Sequence, residues 1–241
     1  MGFKVLYHLT TNNLKGIAEE AKWAESMGYD GLCTEDAAHD PMLPLLMAAS
    51  TTSRVTLETR VTIAFPRSPM VLAYSARDLQ DFSGGRFRLG LGTQVKGHIQ
   101  RRFSTEWDSP GPRMREYVQS LHAIWGAWQT GERLEYHGEY YNFSLMTPFF
   151  SPGRSEQPEP PVFISAVNPY NCRVAGEVCD GVALHPLTTS KYLKEVINPN
   201  IADGAARSGR DPKSVNLSNS SFVITGPNQA AINANKEAVK K

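Results

Sequence analysis

A strand followed by a helix recurs seven times along this chain of 241 residues, and that alternation restricts the fold more than any other feature. Strand-type runs fall at residues 3–9, 31–35, 55–65, 86–92, 162–167, 180–186 and 215–225. The third, VTLETRVTIAF, is rich in β-branched residues and alternates. Between the strands the apolar period changes. Leu14, Ile17, Ala18, Ala21, Ala24 and Met27 recur on one helix face, as do Met114, Tyr117, Leu121, Ile124 and Trp125 over residues 113–130. Strands that alternate with helices pair in parallel, because each return must cross over a helix. Two architectures satisfy this pattern: a (β/α)8 barrel and an open doubly wound sheet. A barrel needs one strand more than the seven found here.

Residues 131–161 break the rhythm between units four and five. The stretch is polar and rich in proline, and too long for an ordinary connection. It reads as an inserted excursion, a lid or an interface.

Charge and cysteine usage exclude several classes of function. The chain has 25 basic and 24 acidic residues, a net charge of +1, which offers nothing to nucleic acid or an anionic membrane. No apolar run approaches the length of a membrane span, and the N-terminus lacks a signal-peptide core. Cys33, Cys172 and Cys179 are odd in number and scattered, without CxxC spacing, so neither a metal site nor a disulfide framework is expected. Three buried thiols in a reducing cytoplasm are the simpler reading.

Glycine is costly inside a strand unless a bulge or a close approach requires it. Gly90 and Gly92 stand at the end of strand four, in RFRLGLG. A dinucleotide fingerprint would need a third glycine where Val95 stands, and the motif lies in the fourth unit rather than the first. Phosphate-loop, zinc-peptidase and serine-hydrolase signatures are missing. In a parallel barrel the C-terminal strand ends converge on one face. Those ends carry His8, then Glu35, Asp36 and His39, then Thr93, Gln94, Lys96 and His98, then Ser165 and Asn168, then His185. Asp36 also suits a helix N-cap, and Asn168-Pro169 a helix start. Trp125 and Trp128 suit a core or an interface.

The stretch VTIAFPRSPMVLAYSARDLQDFSGGRFRLGLGTQ is similar to strands three and four of the bacterial luciferase-like flavin- and deazaflavin-dependent oxidoreductases. GLCTEDAAHDPMLPLLMAAS resembles their second unit, and PPVFISAVNPYNCRVAGEVCDGVALHP their fifth and sixth. The branch most resembled is that of the coenzyme F420-dependent oxidoreductases. The resemblance implies a luciferase-like (β/α)8 TIM barrel, here one domain over residues 1–241 that lacks the eighth strand and is read as C-terminally truncated. It implies a cofactor across the C-terminal face: coenzyme F420, or FMN as the alternative.

Carried onto this chain, a ring-supporting bulge falls at Val61, Thr62 and Ile63, a segment that often holds a non-prolyl cis peptide in the family. Gly90 and Gly92 would leave room for the ring, and Thr93 would face the cofactor tail. The phosphate would lie at Ser165, Ala166, Val167 and Asn168, by a helix N-terminus. The proton carrier after strand two, often histidine in the family, is matched by Asp36, with His39 three residues on. The implied activity is hydride transfer between a small organic substrate and F420. The alternatives are an FMN-dependent monooxygenase using oxygen, and a non-catalytic flavin-binding protein with a shortened barrel. A homodimer is expected from the family, helped by the aromatic supply of EYHGEYYNF.

Overall fold

The computed structural model describes residues 3–220 and 224–239. One parallel sheet organises them. Its strands are β1 (Leu6–His8), β2 (Gly31–Thr34), β3 (Thr56–Thr59), β4 (Thr62–Ile63), β5 (Phe87–Gly92), β8 (Val162–Ser165), β9 (Gly181–Leu184) and β10 (Asn216–Asn219). Their order is β1-β2-β3-β5-β8-β9-β10, with β4 also on β5. Each strand thus lies beside the next along the chain, and the sheet curls as a barrel wall of seven strand lines. β2 and β9 are buried at every residue, as a parallel sheet covered on both sides requires.

The helices form where the periodicity predicts. α1 (Ile17–Ser26) buries Ile17, Ala21 and Ala24. α2 (Met42–Ala49) follows, its Met42 N–H received by Asp40 at 2.8 Å. α3 (Pro69–Phe82) begins at Ser68, whose hydroxyl accepts from Met70 N–H, with Pro69 in the first turn. The short α4 (Lys96–Arg101) follows β5. α5 (Pro110–Thr130) buries Trp125 and Trp128 in the core, and Trp125 donates to the Ala73 carbonyl at 3.1 Å. The chain continues with α6 (Pro169–Val178), α7 (Ser190–Tyr192), a π-helical turn (Leu193–Ile197), α8 (Asn198–Arg207) and α9 (Gln229–Val239). The expected seventh strand runs partly into residues 221–223, which lie outside the described residues. No helix among the described residues is long and apolar enough to cross a membrane. All three cysteines are buried and free.

Strand three is not the single run that alternation suggests; it breaks where the family resemblance implies a bulge with a non-prolyl cis peptide. It is two pieces, β3 and β4, separated by Arg60 and Val61, which are joined by a cis peptide bond. Glu58 pairs with Arg88 before the break and Thr62 with Leu91 after it. Three residues on strand three therefore face two on β5, which is a bulge.

The excursion at 131–161 is better ordered than its composition suggests. It contains a hairpin of β6 (Tyr136–His137) and β7 (Asn142–Phe143). Its Tyr141 packs edge-on against Tyr117 of α5 at 5.5 Å, and Tyr141 and Phe143 pack against the core. The proline-rich part then lies along α3 and α5. Tyr74 Oη donates to Phe150 O at 2.6 Å, Gln80 Nε2 to Pro158 O at 3.1 Å and Gln129 Nε2 to Ser155 O at 3.2 Å. An extended segment without a ladder needs such side-chain partners for its carbonyls.

Candidate functional site

Two cavities lie at the C-terminal ends of the strands. The larger, of about 600 Å³, occupies the barrel mouth. His8, Glu35, Arg60, Ser165, His185 and Asn219 line it, with Val61 among the apolar residues. Each of these stands at or just beyond the end of its strand, or in the bulge. The second cavity, of about 550 Å³, opens between the end of β5, the start of α5 and the start of α6. Thr93, Lys96, Trp107, Asn168 and Tyr170 line it. Both fall in the size range of small-molecule sites.

The bulge answers the question that Gly90 and Gly92 pose. A Cβ on Gly90 would overlap the Thr59 carbonyl oxygen, and one on Gly92 would lie 2.6 Å from Val61 Cγ2. What approaches these glycines in the structure is strand three itself, not open space kept for a ring. Thr62 and Ile63 are buried in the pairing with β5. Of the three predicted bulge residues only Val61 reaches the mouth cavity.

Asp36 serves the bulge as well. Its Oδ2 accepts from Ile63 N–H at 3.0 Å and from Arg67 Nη1 at 2.5 Å, and its own N–H donates to Val61 O at 3.3 Å. Its side chain is 6% exposed and lines neither cavity. Arg67 also donates to Ile63 O at 2.9 Å and pairs with Asp40. His39 is exposed and likewise lines neither cavity.

Ser165 lines the mouth and Asn168 the second cavity, while Ala166 between them is buried and Val167 is exposed. Asn168 is the N-cap of α6, its Oδ1 accepting from Asn171 N–H at 2.9 Å. The amides of Asn168 and Tyr170 have no acceptor among the described residues. Free amides at a helix start, with Lys96 in the same cavity, form a donor set that suits a phosphate; the Thr93 hydroxyl there donates to the Gln94 carbonyl at 3.0 Å. The two neighbouring cavities suit an extended cofactor with a ring at one end and an anionic group at the other.

Arg60 was not found by sequence reasoning. It sits in the bulge, 9% exposed, and reaches across the barrel to the Ser218 hydroxyl and carbonyl of β10. Its Nη1 also donates to Glu58 Oε1 at 3.1 Å. Glu58 is fully buried, and burial pushes its carboxyl above the ordinary range against the pull of Arg60 and Arg88. Glu58 and Arg60, two apart in a strand otherwise β-branched, were the available signal: both charges point to one face. His8, Glu35 and His185 were visible as strand-end residues, and the structure brings them to one cavity.

The chain is 46% identical over 230 residues to an uncharacterised protein of Mycobacterium tuberculosis, Rv1360, covering 95% of this chain and 68% of that protein. It is 28% identical over 214 residues to the F420-dependent glucose-6-phosphate dehydrogenase of Nocardia farcinica, with 83% of this chain and 61% of that one covered. The crystal structure of long-chain alkane monooxygenase (LadA) matches the fold with a TM-score of 0.78 at 15% identity, over 96% of this chain and 67% of that one. The luciferase-like monooxygenase family model matches residues 2–240, and the chain belongs to that family.

Proposed function

We propose that this protein is an oxidoreductase that binds coenzyme F420 across the two cavities and transfers a hydride to or from a small organic molecule. The observation that carries the reading is the pairing of a barrel-mouth cavity with a neighbouring cavity at the start of α6. The similarity to an F420-dependent dehydrogenase favours the deazaflavin over FMN. Val61 and Ser165 would contact the ring, and Thr93 and the 165–168 segment would hold the tail and phosphate. Gly90 and Gly92 would act on the cofactor through strand three, by letting the bulge sit close enough to raise Val61 into the mouth. When bound, the deazaflavin supplies a two-electron hydride acceptor at its C5 carbon. The chain's own task is to hold the reacting carbon against that position and to manage the accompanying proton.

Three buried thiols are consistent with work in a reducing cytoplasm. For the homodimer, the exposed face of α2 and α3 is the better support: Leu43, Leu46 and Val71 are each exposed there. Val71→Glu should then give a monomer by light scattering.

Titration with F420 and with FMN, followed by tryptophan fluorescence, tests the cofactor. Micromolar binding of F420 with weaker FMN binding is expected. Preference for FMN would move the reading to a flavin monooxygenase, and binding of neither would overturn it.

A further inference from the structure

We propose that His8, with Glu35 beside it, moves the proton in the mouth cavity, and that the substrate is an alcohol or, in reverse, the matching carbonyl compound. The inference rests on the hydride-transfer reading above. It assigns the proton to the end of strand one, not to the residues after strand two on which the family resemblance places it.

Elimination on the observed geometry leads there. Asp36 is engaged by Ile63 and Arg67 and does not reach either cavity. His39 reaches neither cavity. Among the residues that do line the mouth, Arg60 cannot give up its proton. Burial pushes the Cys33 thiol up to about 12, so it stays protonated near neutral pH. His185 has its Nδ1 occupied by the Leu187 N–H at 3.2 Å, which commits its basic nitrogen to a turn. The Asn219 and Ser165 side chains do not titrate near neutrality. His8 and Glu35 remain.

Their arrangement fits the task. His8 Nε2 faces Glu35 Oε2 at 3.9 Å, and both side chains are about half exposed to the cavity side. The Glu35 carboxylate lies beyond hydrogen-bond distance and sets a negative charge beside Nε2, which leaves Nδ1 as the nitrogen to accept the proton. No hydrogen bond among the described residues occupies Nδ1 of His8.

The chemistry balances with the deazaflavin as the two-electron acceptor. The alcohol O–H bond breaks and its proton passes to His8 Nδ1. The carbinol C–H bond breaks and its electron pair leaves with hydrogen as hydride. The carbon–oxygen double bond forms from the O–H electrons. In reverse, His8 protonates the oxygen of a carbonyl that accepts hydride.

The first test needs no turnover. The chain contains six histidines, which can be labelled with carbon-13 and assigned by single substitution. Addition of F420, or of FMN if that is the cofactor bound, should shift the His8 ring signal and leave His39, His98, His122 and His137 in place. Cofactor binding with an unmoved His8 signal would overturn this inference alone; binding of neither cofactor would overturn the hydride reading and this inference with it.

The second test follows cofactor reduction over a panel of two- to six-carbon primary and secondary alcohols. With an accepted alcohol, His8→Gly should lower kcat by about 10²–10⁴-fold with little change in KM, and added imidazole should restore part of the rate. Turnover of no alcohol would overturn the substrate class, and a His8→Gly rate near wild type would overturn the role of His8.

Discussion

The Thr59 hydroxyl takes the place of a main-chain partner on both sides of Gly90. It donates to Gly90 O at 2.8 Å and accepts from Gly90 N–H at 2.9 Å. Where strand three bulges away, the ladder to β5 would otherwise leave both groups of Gly90 buried and unpaired. One side chain therefore closes the gap in the sheet directly below the mouth cavity.

Thr59→Val keeps the shape and removes the hydroxyl, orphaning a buried donor and a buried acceptor. A loss of at least about 2 kcal/mol is expected, since each orphaned group costs about 1–3 kcal/mol. Thr59→Ser retains the hydroxyl and should recover most of the loss. Urea unfolding of the two variants beside the parent makes the comparison.

Gly92→Ala brings a methyl to 2.6 Å from Val61 Cγ2. The end of a valine side chain can yield or be trimmed, so the variant should fold with a loss of about 1–3 kcal/mol. Val61→Ala should relieve the clash, making the double variant more stable than the two single losses add up to. Strict additivity in the thermodynamic cycle would show that the two residues do not press on each other.

Asp36→Ala removes the acceptor shared by the Ile63 amide and the Arg67 guanidinium. Breaking this largely buried pair should cost about 3 kcal/mol, somewhat offset by the partial exposure of Arg67. Because Asp36 holds the bulge that carries Val61, cofactor affinity should fall as well. Unchanged affinity in a well-folded variant would separate Asp36 from the ring site.

His122 on α5 and Glu159 before β8 lie 3.0 Å apart. Burial alone would lower the His122 pKa, but the hydrogen bond and charge of Glu159 outweigh it and the net shift is upward. A raised folded value means stability that is fully present below the unfolded value near 6.5 and lost as pH rises through the folded one. Unfolding midpoints measured between pH 6 and pH 8 should therefore fall with pH, and Glu159→Gln should flatten that part of the profile.

Much of the fold was legible because its signals are local. Periodicity located the helices, Asn168-Pro169 marked a start, and seven strand runs with crossovers implied a parallel sheet. The site was legible only as a rim. Alternation read residues 55–65 as one strand, because the bulge is imposed by the partner strand rather than by local propensity. Asp36 was matched to the family's proton carrier, since nothing nearby in sequence announces Arg67 thirty-one residues on. The packing of the excursion was not legible, because composition does not say which helices will receive its carbonyls.

The sequence by itself determined the alternation of strands and helices, the parallel pairing it requires, and which residues stand at strand ends, because side-chain period and capping act within a few residues. Only the tertiary structure decided which of those strand-end groups meet. Packing engaged Asp36 with Arg67, drew Thr59 onto Gly90, and left His8 beside Glu35 at the mouth, because burial forces each polar group to find a partner wherever the curled sheet brings one within reach.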